Sequence, residues 1–268
     1  MPKFKNKIKN ISRQPVTRII NSEKIVLLLE PEDLVRGVFS GLVDEIKLIS
    51  RQWGFAVFNC RKNKIRFTVV FCPPGNSNID IAVNELAKAG GRIFLRAGCC
   101  GGIDKKLKVG DLIILKSALK KEALSRDYGE KYPLESYPSK DIVKILAESA
   151  NKINKKYSLG KSITVNNLYA FNHIKRNGKL IPMTFNEYET PQKEILEGAI
   201  KQKVSCVEME SASLFVLCDI FGLKSGALLA VSDRVPWESK SPFNFTKSYK
   251  ELFKVIIIAI QDLIKNGL

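Results

Sequence analysis

Val207-Glu208-Met209-Glu210-Ser211-Ala212 is the stretch of this chain best equipped for chemistry. Two carboxylates at i and i+2 at the end of a strand point the same way, because strand side chains alternate with period two. Such a pair suits a vicinal diol, whose two hydroxyls both donate hydrogen bonds. Met209 offers a soft apolar surface that can lie against a sugar or a flat ring. A second reading stays open: Ser211 caps the helix that follows, and the glutamates favour its positive end.

The other chemically armed group is Arg96-Ala97-Gly98-Cys99-Cys100-Gly101-Gly102, read as a strand end and the turn beyond it. Glycines there let main-chain N–H groups approach an anion, and an arginine is a two-pronged partner for phosphate. A purely structural arginine tying two loops is the alternative. Cys99 and Cys100 read as small buried thiols, since the sequence places no general base beside them. His173 is the single histidine, which excludes a His-rich metal site and most histidine-based mechanisms.

These groups need elements to hold them. Apolar runs predict strands over Lys24–Glu30, Phe55–Cys60, Ile65–Cys72, Arg92–Ala97, Leu112–Leu119, Lys161–Asn166, Val204–Met209 and Leu223–Ser232. Helical spacing predicts helices from Pro31 to about Leu42, and over Ile79–Ala89, Asp141–Lys156, Gln192–Lys201, Ser213–Phe221 and Phe245–Lys265. Arg126–Pro138 reads as a polar loop and Asn167–Pro191 as irregular. Strands and helices alternate, so the expected class is α/β with a parallel or mixed sheet. No repeat or linker divides the chain. The expected division is a mobile basic arm over 1–22 and one domain over 23–268.

At 268 residues and 45% hydrophobic content, the chain is long enough for a large core. No apolar run reaches membrane-spanning length, and the basic start, Met1 to Arg18, lacks the apolar core of a signal peptide. A cytoplasmic protein is expected. The six cysteines form no C-x-x-C pair and read as reduced thiols, not a disulfide framework or zinc site. The net charge of +17 is spread along the chain without interleaved aromatics, so it reads as a solvated lysine-rich surface and not a nucleic-acid interface.

The order of motifs carries more than any one of them. Ile81-Ala82-Val83-Asn84-Glu85-Leu86, Phe94-Leu95-Arg96-Ala97-Gly98, Val109-Gly110-Asp111, Val207-Glu208-Met209-Glu210-Ser211-Ala212 and Gly222-Leu223-Lys224-Ser225-Gly226 follow one another. This succession resembles the nucleoside phosphorylase family of uridine phosphorylase, hexameric purine nucleoside phosphorylase and methylthioadenosine nucleosidase, from about Ile25 to Leu263. The resemblance implies one α/β domain whose central mixed sheet partly closes into a barrel, flanked by helices. It implies attack of phosphate on C1′ of a purine or pyrimidine ribonucleoside, giving free base and ribose 1-phosphate. Phosphate would be a co-substrate, with no cofactor and no metal. Arg96, Gly98 and Cys99 would bind phosphate, and Arg51 would reach the phosphate of a neighbouring subunit. Glu208, Met209 and Glu210 would hold the ribose. Asp233 would protonate a purine at N7, Arg234 would sit near a uracil, and Leu168 would face the base. A homo-oligomer is implied, a dimer at least and a hexamer in the fullest form. The apolar run Val255–Ile260 adds an expectation of surface buried between subunits.

The chain also departs from the family pattern. Where the family has G-D-P-x-R, this sequence reads Leu29-Glu30-Pro31-Glu32-Asp33, which loses a phosphate-binding glycine and arginine. Cys99 stands for a threonine, Pro73-Pro74 stiffens the glycine-rich loop, and the F-x-x-x-Q-x-R signature for uracil is missing near Leu168–Ile174. The expected activity is therefore a nucleoside phosphorylase. A phosphate-independent nucleosidase or a non-catalytic nucleoside-binding protein of the same fold are the alternatives.

Overall fold

A strand that is apolar at every position has no face for water, and Ile25–Leu29 (β1) is buried throughout. It starts a computed structural model that describes residues 22–129, 134–237 and 245–268. The expected arm over 1–22 lies outside these residues except for Ser22. The first half continues with α1 (Glu32–Ser40), β2 (Glu45–Gln52), β3 (Phe55–Lys62), β4 (Ile65–Phe71), α2 (Asn76–Lys88), β5 (Ile93–Gly102), β6 (Leu112–Lys121), α3 (Leu124–Asp127) and β7 (Glu135–Ser136). The second half adds α4 (Lys140–Lys152), β8 (Tyr157–Val165), α5 (Leu168–Phe171), β9 (His173–Arg176), β10 (Lys179–Pro182), α6 (Gln192–Lys201), β11 (Cys206–Glu208), α7 (Ser211–Ile220), β12 (Lys224–Arg234) and α8 (Phe245–Lys265).

The main sheet runs β11-β8-β6-β12-β5-β1-β4-β3-β2. A further antiparallel pairing of β11 with β5 closes β11, β8, β6, β12 and β5 into a five-stranded barrel, and β1, β4, β3 and β2 extend from it. Period-two alternation sorts the core. Ile25, Leu27 and Leu29 pack on the side of α1, α4 and α8, while Val26 and Leu28 pack on the side of α2 and α7. Phe94 belongs to the second side, so Arg96, two residues on, faces the same way. A third cluster joins Phe171, Leu196, Ala199, Val207 and Val235 beneath α5 and α6.

Several expectations need correction. Arg96–Gly102 is not a turn past a strand: β5 runs through it to Gly102, because β12 and β11 pair with it to the end. The stretch over Asn167–Pro191 is not irregular throughout. It holds the hairpin β9–β10, turned by Asn177-Gly178, both at positive φ. An unexpected edge strand, β2, carries Arg51. The Val255–Ile260 run does not mark a subunit surface, because α8 is wrapped by its own chain. Val255, Ile256, Ile257, Ala259 and Ile260 are buried against α1, α4, β5 and β12. Among the described residues, no helix is long and apolar enough to cross a membrane.

Candidate active site

β11 stops at Glu208 and α7 starts at Ser211, so the paired glutamates straddle a strand-to-helix corner. The corner separates their roles. Glu208 caps α7: its Oε2 accepts the main-chain N–H groups of Glu210 at 2.9 Å and Ser211 at 2.6 Å. Its Oε1 accepts the hydroxyls of Thr164 and Ser162. All of its strong acceptor positions are therefore engaged within the protein, and it is not a free ligand for ribose hydroxyls. Ser211, the expected cap, points its hydroxyl into the core instead. The expected Ser211 cap is therefore corrected: the side chain that caps α7 is Glu208, and Glu210 is the carboxylate left to face the cavity.

Glu210 turns into a cavity of about 260 Å³ at the barrel mouth. Its Oε2 lies 2.5 Å from Nη2 of Arg96, and its Oε1 accepts the N–H of Gly75 at 2.7 Å. Gly75 opens α2 with φ of +105°, a conformation that suits glycine, and aims the positive helix end at this carboxylate. Burial raises the Glu210 carboxyl to about 7. Arg96 and the Gly75 N–H pull it down, while Glu30 and Glu208 push it further up.

Arg96 is 3% exposed and meets three carboxylates. Beyond Glu210, Glu30 Oε1 lies 3.2 Å from Nη2, and Glu208 Oε2 lies 3.8 Å from Nε. Burial works against the guanidinium charge, but Glu210, Glu30 and Glu208 outweigh it and hold Arg96 protonated. Strand register brings Glu30 here. β1 pairs with β5 so that Leu28 lies opposite Arg96 and Leu29 opposite Ala97, and the next residue reaches Gly98 and Cys99. Glu30 Oε1 accepts the N–H of Cys99 at 3.0 Å. Gly98 is needed for close approach: a Cβ there would collide with Glu30 Oε1 and the Arg96 guanidinium.

At the opposite end, β12 pairs with β5 to Gly102, with a bulge between Val231 and Asp233 on the way. The extra residue re-aims the strand end, and Ser232 and Asp233 both line the cavity. Ser232 donates to Asp233 Oδ1 at 2.5 Å. Burial raises the Asp233 carboxyl, and Ser232 and Trp237 partly offset that rise. Around it stand Val165, Leu168, Phe171, Val235 and Trp237, with Asn172 as a polar exception.

The structure thus gathers Glu30, Arg96, Cys99, Glu208, Met209, Glu210, Asp233 and Leu168 around one cavity. Cys99 stays a neutral thiol, because burial pushes it well above its usual range. Three expected residues are not among those lining the cavity: Gly98 lies in β5 against Glu30 and Arg96, and two others are elsewhere in this chain. Arg234 does not line the cavity; its Nη1 donates to the carbonyls of Asp104 and Leu107. Arg51 lies on the exposed edge and donates to both Glu32 oxygens, at 3.0 and 2.7 Å. Sequence reasoning noticed Glu30 only as part of a motif departure. It missed Trp237 and Asn172 altogether, which no local pattern marks as pocket residues.

Known proteins share this fold. A solved structure of purine nucleoside phosphorylase from Toxoplasma gondii, in complex with immucillin-H, superposes with a TM-score of 0.78 at 18% identity, covering 97% of this chain and 99% of that one. Uridine phosphorylase from Thermococcus kodakarensis is 26% identical over 208 residues, 77% of this chain and 71% of its own. Guanosine phosphorylase from Halorubrum lacusprofundi is 25% identical over 191 residues, 71% of this chain and 70% of its own. The family profile described as "Phosphorylase superfamily" matches residues 27–263, from the first core strand to the end of α8. With barrel, motif order and profile in agreement over nearly the whole length, the chain belongs to the phosphorylase superfamily.

Proposed function

We propose that the cavity binds a ribonucleoside and cleaves its N-glycosidic bond. The observation that carries this reading is Glu210, a buried carboxylate fixed by Arg96 and Gly75 across one cavity from Asp233. In this reading Glu210 accepts the ribose hydroxyls, and Met209 lies against the sugar. The base occupies the apolar end between Phe171 and Trp237. Asp233, whose raised carboxyl retains its proton more readily than a free aspartate, gives that proton to the departing base nitrogen. The names of the relatives cover both uridine and purine substrates, so both classes of base belong in the test. Incubation with a panel of ribonucleosides, following release of free base, tests the reading. Release from at least one member is expected. Tight binding of nucleosides without any release would replace the enzyme by a binding protein of the same fold.

Assembly belongs to the same proposal. β2 is an open sheet edge with Leu48 and Trp53 exposed beside Arg51, a face that a second copy would cover. Light scattering at micromolar concentration is expected to show a homo-oligomer, a dimer or a hexamer. A strict monomer would remove the neighbouring phosphate that Arg51 was expected to reach.

A further inference from the structure

A phosphate acceptor needs a cradle of unpaired donors. In this site three of the candidate donors already hold carboxylates of the chain itself. Arg96 Nη2 serves Glu30 and Glu210, the Cys99 N–H serves Glu30, and the Gly75 N–H serves Glu210. Among the described residues that line the cavity, Arg96 is the only lysine or arginine. One cation faces three glutamates there, so the local balance is already negative before any anion arrives. Glu30 is fixed in this place by the β1–β5 register, and the missing Cβ of Gly98 leaves the room its carboxylate needs.

We propose that Glu30 stands in the place of the acceptor phosphate, and that the acceptor is water activated by Glu30. This rests on the reading that the cavity cleaves a ribonucleoside. In the step, one O–H bond of water breaks and its proton passes to a Glu30 oxygen. The water oxygen forms a bond to C1′. The C1′–N bond breaks, its electron pair stays on the base nitrogen, and that nitrogen takes the proton of Asp233. The products are free base and free ribose. Glu30 then releases its proton to solvent and Asp233 regains one, which restores the starting state. Nothing is oxidised or reduced, and no co-reactant beyond water is consumed.

The test compares products and rates for the full chain with inorganic phosphate absent and at millimolar concentration. The expected product is free ribose, at a rate that phosphate does not change. Glu30→Gln keeps an acceptor for Arg96 and Cys99 but cannot take a proton. Its kcat should fall about 100-fold or more while KM for the nucleoside moves little. Glu30→Gly empties the place beside Arg96, and phosphate should then speed base release and yield ribose 1-phosphate. Release that requires phosphate in the unaltered protein, with ribose 1-phosphate as product, would overturn the water proposal and leave the cleavage reading standing. No release under either condition would overturn both. Wild-type turnover by a folded Glu30→Gln, verified by thermal melting, would remove Glu30 as the base.

Discussion

The two ends of the cavity are built on opposite principles. The floor, around Arg96, is charged, and Glu30, Glu208 and Glu210 surround its guanidinium before any ligand enters. The far end, around Trp237 and Phe171, is apolar, with Asp233 and Asn172 as isolated polar groups. Asn172 is 4% exposed, and its Oδ1 has no hydrogen-bond partner. A floor fixed by buried ion pairs needs little rearrangement when the sugar arrives, which is what electrostatic preorganisation requires. An apolar end with few polar groups selects by shape, and a leaving group changes there with few penalties. This contrast is consistent with relatives whose names cover different bases, uridine phosphorylase and guanosine phosphorylase.

Removing the guanidinium is the hardest test of that contrast. Arg96→Ala leaves three buried carboxylates without their cation and should cost about 3–5 kcal/mol of stability by urea unfolding. An unfolding midpoint equal to wild type would mean that the floor is not held by this charge. At the other end, Asp233→Asn should leave the melt nearly unchanged but lower kcat by about 10²–10⁴-fold. If its kcat stayed at the wild-type level, proton donation would belong to some other group.

A finer comparison lies within the floor, between the two glutamates. Glu210→Ala should lose on the order of 2–4 kcal/mol of transition-state binding, read as kcat/KM for a ribonucleoside. A 2′-deoxyribonucleoside should lose less. Glu208→Ala should act mainly on stability, by about 1–2 kcal/mol, because its carboxylate caps α7. Equal effects of both changes on sugar selectivity would erase the division of labour.

The smallest effect is a pH slope. Glu210 is raised from 4.5 to about 7 in the folded chain, so the folded state holds the extra proton between those values. Stability linked to this group is therefore fully present below about 4.5 and is lost as pH rises through about 7. The slope should reach at most about 1.4 kcal/mol per pH unit. Glu210→Gln should flatten it, leaving the same-sign contribution of Asp233. A stability curve that rises with pH across this window would show that Arg96 outweighs burial and the other two glutamates.

Much of this protein was written in local pattern. The unbroken apolar run of β1 dictates a strand covered on both faces, and the helical spacing of Ile142, Ile145 and Leu146 dictates the buried stripe of α4. Asn177-Gly178 carried the signal for the β9–β10 hairpin too, although the polar residues around it obscured the strands. The family resemblance carried by the order of motifs grouped Arg96, Glu210 and Asp233, and all three line one cavity.

What the sequence could not decide was partnership, because partners come from strand register and corner geometry over long separations. Period two puts Glu208 and Glu210 on one side; only the break between β11 and α7 gives the first to the helix end and the second to the cavity. Arg234 and Asp233 are neighbours in sequence, yet the bulge in β12 leaves one bound to the Asp104 loop and the other facing the cavity. Glu30 and Arg96 are 66 positions apart, and no local signal joins them. The parallel β1–β5 register does, and it brings a carboxylate of the chain to the donors expected to hold phosphate.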